Sequence, residues 1–214
     1  MRFFLLSAFV LACNGPAAEP GTSAAGTPAL DSEPGTPNGQ TDSPPVLGNA
    51  PASASTTQRE ALYWLNTFRA EAGAPLVAET EALNRSAQGH ARFVAENGPL
   101  FAQGLGAHDQ VPAGNSFTGA TFWDRILAAG YLGDPFREVI AYEAHAAGAV
   151  AHWLETPYHR LPLLDASVSD VGYGAVQRLG DHINVLDLGR DGAADAPSLG
   201  IAWPPNGAVD VPLS

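Results

Sequence analysis

Histidines are the residues here best equipped for chemistry, and three of them, His145, His152 and His159, recur every seven residues. On one unbroken helix they would form a stripe of imidazoles, and imidazole is the commonest protein ligand for metals. The spacing argues against a shared ion. Seven residues are nearly two helical turns, so successive rings stand about 10 Å apart along the axis. Pro157, inside "HWLETPYHRLPLLD" (152–165), also stops the helix and leaves His159 and Arg160 exposed where the chain turns. His145 and His152 then read as solvated helix histidines, and His159 needs a partner from elsewhere. The chain carries no His-Glu-x-x-His run, no Gly-x-Ser-x-Gly elbow and no phosphate-cradling glycine loop.

The elements that must supply that partner lie between two unusual termini. Residues 1–13, "MRFFLLSAFVLAC", hold one arginine, a roughly ten-residue apolar run and a cysteine. The run is too short to span a bilayer, which takes about 20 apolar residues, and has the length of a signal-peptide core. Val10-Leu11-Ala12-Cys13 resembles a bacterial lipobox, which implies lipidation of Cys13 and anchorage to a bacterial membrane. Cys13 is the only cysteine, so the exported part rests on its core without a disulfide. Residues 14–55 are rich in Pro, Gly, Ser, Thr and Ala, with four acids, no base and no aromatic. They read as a disordered tether with nothing to bury.

From Thr56 the pattern becomes that of a folded domain, taken as 56–190. Thr57 to Glu60 reads as a capping box for a first helix, with Leu62 and Leu65 on its inner face and Gly73-x-Pro75 as its stop. A second helix places Leu83, Ala87, His90 and Val94 on one face and exits at Asn97-Gly98; a third runs from Thr121 to about Ala129. A strand at 138–142, a fourth helix over 144–155 and two strands, "SDVGYGAV" and "HINVLDLG", complete the set. Helices and strands are mixed without a repeating βαβ pattern, so the expected fold is α+β, a three-layer sandwich. Residues 191–214 read as a Pro/Gly-rich tail in which "AVDVPL" could begin a further β-domain. A net charge of −12, with arginine as the only strong base, excludes a nucleic-acid backbone as partner.

The ordered set "LNTFRAEAGAPLV", "ALNRSAQGHARFVAENG", "HDQ", "EVIAY", "HWLETPYHR" and "VGYGAV" resembles the CAP superfamily of cysteine-rich secretory, antigen 5 and pathogenesis-related proteins, in a disulfide-free bacterial lipoprotein form. The resemblance covers about residues 57–190. It implies an α-β-α sandwich and a cleft lined by two histidines and acidic residues. By resemblance the first histidine is His108, in the loop after the second helix, the acid is Glu138, and the second histidine is His159. Many members carry a further glutamate where this chain has Thr156; Glu155 stands one residue off that register.

His108 and His159 could together hold a divalent cation such as zinc at about 2.0–2.1 Å, with positions left open for water or ligand. Glu138 could orient one imidazole, take a proton from a bound water, or serve as a structural acid paired with Arg125 or Arg160. His90, on an apolar helix face, reads as a hydrogen-bonded core group. Trp64, Trp123, Trp153, Phe68 and Phe93 read as core volume, whereas Tyr131 and Tyr158 are expected to flank the cleft. Two functions follow from the resemblance. One is a surface-anchored module that binds an extracellular lipid, peptide or glycan, with a divalent metal as an optional companion. The other is a zinc-assisted peptidase or esterase using the same His/Glu cleft.

Overall fold

The computed structural model describes residues 47–98, 104–192 and 201–205. The signal segment, Cys13, the tether up to residue 46 and the "AVDVPL" stretch lie outside the described residues.

Helix α1 (Thr56–Ala72) is capped two residues earlier than the Thr57–Glu60 box would place it: the Ser55 hydroxyl accepts from the Gln58 amide at 3.2 Å, and Gln58 Oε1 accepts from the Ser55 amide at 2.8 Å. "SASTTQRE" holds two overlapping capping matches, and the upstream one wins. Strand β1 (Ala78–Glu79) leads into α2 (Glu81–Asn97), capped by the Thr80 hydroxyl. A short 3-10 turn (Gly104–His108) lies in the long loop before α3 (Phe122–Ala128), which carries a Thr121/Asp124 capping box. Strand β2 (Asp134–Ala141) is followed by α4 (Ala146–Glu155), α5 (Pro157–Leu164), β3 (Asp170–Arg178) and β4 (Asp181–Arg190).

The strands form one sheet in the order β1-β3-β4-β2, with β1 parallel to β3 and the other pairs antiparallel. Alternation along the strands separates two cores. Val139, Val171, Tyr173, Leu186 and Leu188 face α1, α4 and α5, where Leu65, Trp153 and Leu163 fill the centre. Ile140, Ile183 and Val185 face Ala87, Ala91, Phe93 and Val94 of α2. Leu83 meets Ile126 of α3 beside them. The expected α+β three-layer sandwich is therefore the observed architecture.

The glycines of "VGYGAV" let α2 lie directly on β3. A Cβ added at Gly172 would stand 2.1 Å from the Leu83 carbonyl carbon, and one at Gly174 would stand 2.2 Å from the Gln88 amide nitrogen. The contact is backbone on backbone, closed by hydrogen bonds from the Tyr173 amide to Asn84 and from the Ala175 amide to Gln88.

Several expectations change. Pro157 opens a helix as well as ending one, because proline at the first helical position forfeits only an unused N–H. His159 accordingly lies in the first turn of α5. His145 is the extended residue before α4 and not part of it. Trp123 is 41% exposed, resting edge-on against Phe122 at the start of α3. Tyr131 is buried, and its hydroxyl donates to Asp170 at 2.7 Å, so it braces the β2–β3 end of the sheet and does not flank the cleft. The ordered domain begins before residue 56: Asn66 donates to Leu47 O at 2.7 Å and Val77 O at 2.9 Å, and Arg59 donates to Pro51 O at 2.8 Å. Past β4, Ile201 and Trp203 pack on the α1 side of the core, with the Ala202 amide bonded to Ala72 O at 3.1 Å.

Arg69 fixes α5. Fully buried on α1, it donates to the carbonyls of Pro75, Leu163, Asp165 and Val168, tying the far end of α5 to the first helix. Gly174→Ala should cost about 1–3 kcal/mol by overpacking, and Arg69→Ala about 3 kcal/mol or more by orphaning several buried carbonyls. Urea unfolding of each variant measures both losses.

Candidate functional site

Strand β2 is an edge of the sheet, so the two helical layers approach each other around it. Glu138 sits on this strand, directly across from Asp187 of β4, and both side chains point toward α2 and α3. The Glu138 side chain has no exposure. Its Oε2 accepts from Arg125 Nη2 at 2.5 Å and its Oε1 from His108 Nδ1 at 2.9 Å. Of the two arginines expected as partners, Arg125 is the one used, reaching down from α3.

His90 supports the same oxygen from a distance. Its Nε2–H donates to Ala107 O at 2.8 Å and its Nδ1 accepts from Gln110 Nε2 at 3.0 Å, while Nε2 stands 3.6 Å from Glu138 Oε1. These partners define a neutral ring. Gln110 Oε1 in turn accepts from the Thr118 amide at 2.8 Å. His90 and Gln110 thus hold the loop bearing His108, and the "HDQ" run supplies one residue to the cleft and one to its foundation.

Burial by itself opposes ionisation of Glu138. The His108 hydrogen bond, the His90 ring and the Arg125 charge outweigh it and bring the pKa down to about 2. The carboxylate is therefore an anion that accepts from both neighbours. Burial pushes His90 down to about 4 against the pull of Glu138, with Arg125 adding to the depression. Asp187 goes the other way: burial first, and then the Glu138 charge, hold its carboxyl well above the usual range, against the pull of Ser86 and Arg125. Ser86 and Glu138 are close enough to perturb it, yet neither Asp187 oxygen has a hydrogen-bond partner of good geometry, and Arg125 Nε and Nη1 are likewise unpartnered.

With Nδ1–H committed to Glu138, His108 keeps a lone pair on Nε2, and its side chain is 28% exposed. Such an imidazole, its tautomer and orientation set by a buried carboxylate, is the arrangement used by metal ligands and general bases. His159 reaches the same space from the opposite layer. Thr156, extended between α4 and α5, bonds His159 Nδ1 through its hydroxyl at 2.7 Å. Burial, then the neighbouring His152 and His108 rings, lower the His159 pKa.

His108 and His159 line one cleft of about 880 Å³, whose walls include Arg137, Tyr158, Arg160, Leu161, Ile201 and Trp203. Tyr158 flanks it as expected, 90% exposed. Glu138 borders the cleft through its backbone, while its carboxylate works on the cleft through His108. Glu155 is exposed and does not line the cleft. His152 turns to Glu143 at 3.4 Å, so the seven-residue histidine spacing builds no common site. Among the described residues, no three His, Cys, Asp or Glu side chains form a group fit to hold a metal ion. The donor set offered by the cleft is two imidazoles.

The family model of the cysteine-rich secretory protein family, CAP, matches residues 62–181. The chain belongs to this family. Among solved structures it is similar to an extracellular protein containing an SCP domain from Bacillus anthracis, at 22% identity and a TM-score of 0.50, over 63% of this chain and 40% of that one. It is also similar to an outer surface protein of Borrelia burgdorferi, at 18% identity and a TM-score of 0.49, over 62% of this chain and 91% of that one. A cysteine-rich secretory protein from Staphylococcus aureus gives 15% identity and a TM-score of 0.42, over 65% of this chain and 41% of that one. The Bacillus likeness bears on the fold alone, and the chain spans about 40% of that protein's length. No curated protein matches.

In this CAP chain the residues that sequence reasoning passed over are Asp187, Ser86 and Gln110. Asp187 had a signal: it is the one acid inside the apolar run "INVLDLG", between two leucines that face the opposite core.

The buried cluster dictates an acid profile. His90 has a folded pKa below its ordinary 6.5, so its contribution is complete above that value and is lost as pH falls toward about 4. Glu138 loses its contribution as pH falls from its ordinary 4.5 toward about 2. Asp187, raised, loses stability in the other direction, as pH rises above its ordinary 3.8. Between pH 4 and 6.5 the His90 and Asp187 contributions therefore run in opposite directions, so His90→Gln should tilt the stability profile downward with rising pH and Asp187→Asn should tilt it upward, as read by urea unfolding across that range.

Proposed function

We propose that this CAP protein is exported, held at a bacterial envelope through lipidated Cys13, and that its His108/His159 cleft binds an extracellular ligand together with a divalent cation such as zinc. One observation carries the reading. Glu138, sealed beneath the cleft and held by Arg125, takes the Nδ1–H of His108 and so leaves Nε2 free to bind. The second imidazole enters from α5, and the volume between them falls in the range of small-molecule sites.

The placement outside the cytoplasm draws support from family membership and from the descriptions of the similar proteins as extracellular or outer-surface. Among the described residues no helix is long and apolar enough to cross a membrane.

His108 and His159 would hold the cation, and a zinc ion bound there would supply Lewis acidity toward a ligand oxygen. Binding is favoured over hydrolysis because, with both imidazoles given to the cation, neither carboxylate on the lining is free to act as a base. The Glu138 carboxylate is out of reach of bound water, and Asp165 accepts from the Ser167 amide and hydroxyl at 2.8 and 2.6 Å.

Calorimetry with zinc should show one site, weakened at least about tenfold in His108→Ala or His159→Ala and roughly 10–100-fold in Glu138→Gln. Zinc binding unaltered in the His108→Ala/His159→Ala double variant would remove the metal from the reading. Expression in a bacterial host with labelled fatty acid should place label on the membrane-bound protein, and Cys13→Ser should abolish both the label and membrane retention.

A further inference from the structure

The cleft carries positive charge that the rest of the protein does not neutralise. Acids outnumber strong bases 22 to 10 in the chain, so an arginine usually has carboxylates to choose from. Arg137 and Arg160 line the cleft, yet neither pairs with a carboxylate among the described residues. Arg137 Nη1 donates to Phe136 O at 2.8 Å, with its guanidinium 4.9 Å over the Phe136 ring. Arg160 Nη1 donates to Leu154 O at 3.1 Å, at the end of α4. Each guanidinium has five N–H donors, so most remain for a ligand. The two carboxylates on the lining are spoken for: Glu138 by Arg125 and His108, Asp165 by Ser167 and, at 3.7 Å, by Arg190.

The lining also has apolar members, and two of them come from outside the family-matched range, which ends at residue 181. Ile201 and Trp203 are held there by the Ala202–Ala72 backbone bond and by an edge-to-face contact of Trp203 with Phe68, ring centroids 5.6 Å apart. They face a cleft that Leu161 borders from α5.

We infer that the cleft takes a carboxylate joined to an apolar body, the carboxylate at Arg137 and Arg160 beside the imidazoles and the body against Ile201 and Trp203. The 201–205 segment is then a specificity-determining wall of the cleft. This inference rests on the cleft reading above and narrows it by charge complementarity: two unpaired guanidiniums select an anion, and an indole wall selects an apolar companion. The same chemistry has two sources, a peptide C-terminus with an apolar last residue and a free acyl chain.

Calorimetry on the full chain tests it, with N-acetylphenylalanine and octanoate as the two probes. Their neutral amides lack the charge, and acetate lacks the body. At least one acid should bind about tenfold or more tighter than its amide and than acetate. Arg137→Gln, at an exposed position, and Trp203→Ala should each weaken that acid at least about fivefold. Ile201→Ala serves if the Trp203 variant does not fold. Preference for N-acetylphenylalanine supports the inference with a peptide terminus as ligand, and preference for octanoate supports it with an acyl chain. Equal affinity for acid and amide, or indifference to both Arg137→Gln and the wall variants, overturns it. If neither acid binds while zinc still binds through His108 and His159, this inference fails and the cleft reading stands. If zinc binding is also unaffected by the His108/His159 changes, both fail.

Discussion

A buried ion pair at the sheet edge organises everything around it. Glu138 can remain charged without solvent only because Arg125 comes from α3 and His108 from the 3-10 turn to meet it. That requirement fixes three separate segments at once: an edge strand, a short helix and the middle of a long loop. His90 and Gln110 extend it by fixing the loop carbonyl at Ala107 and the chain at Thr118. The buried pair is costly by itself, and what the protein obtains from it is one imidazole held in one tautomer at one place.

The second imidazole depends on different physics. Arg69 pins the end of α5 through backbone carbonyls, and Thr156 with Pro157 sets its beginning. The cleft is thus the meeting of two independently anchored parts, on opposite faces of a sheet kept thin by the close approach of α2 to β3 at Gly172 and Gly174.

Much of the fold was legible because it is periodic. Apolar residues at helical spacing marked α1 and α2, and the stretches that form α4, β3 and β4 were read as a helix and two strands. What periodicity could not mark went unseen: β1 spans two residues, and α5 begins with a proline that serves equally well as a stop. The cleft itself was legible only through family resemblance, since His108 and His159 lie fifty-one residues apart with no local pattern joining them. Arg125 was among two arginines open to Glu138, and only three-dimensional proximity chose between them. Asp187 illustrates a weaker kind of legibility, an acid in an apolar strand, which marks an unusual environment without naming its partners. The wall at Ile201 and Trp203 comes from a Pro/Gly-rich stretch that composition assigned to a tail.

Thr156 closes α4, opens α5 and bonds the ring of His159. Those three duties cannot be altered one at a time. A substitution there that retunes the imidazole also respecifies the joint between two helices, and one that relaxes the joint changes the imidazole. Residue 156 is therefore pleiotropic, and variation at it should be inherited together with compensating changes in α5. Tyr158 and Leu161, exposed on the solvent side of the cleft, sit outside that joint and can change without respecifying it.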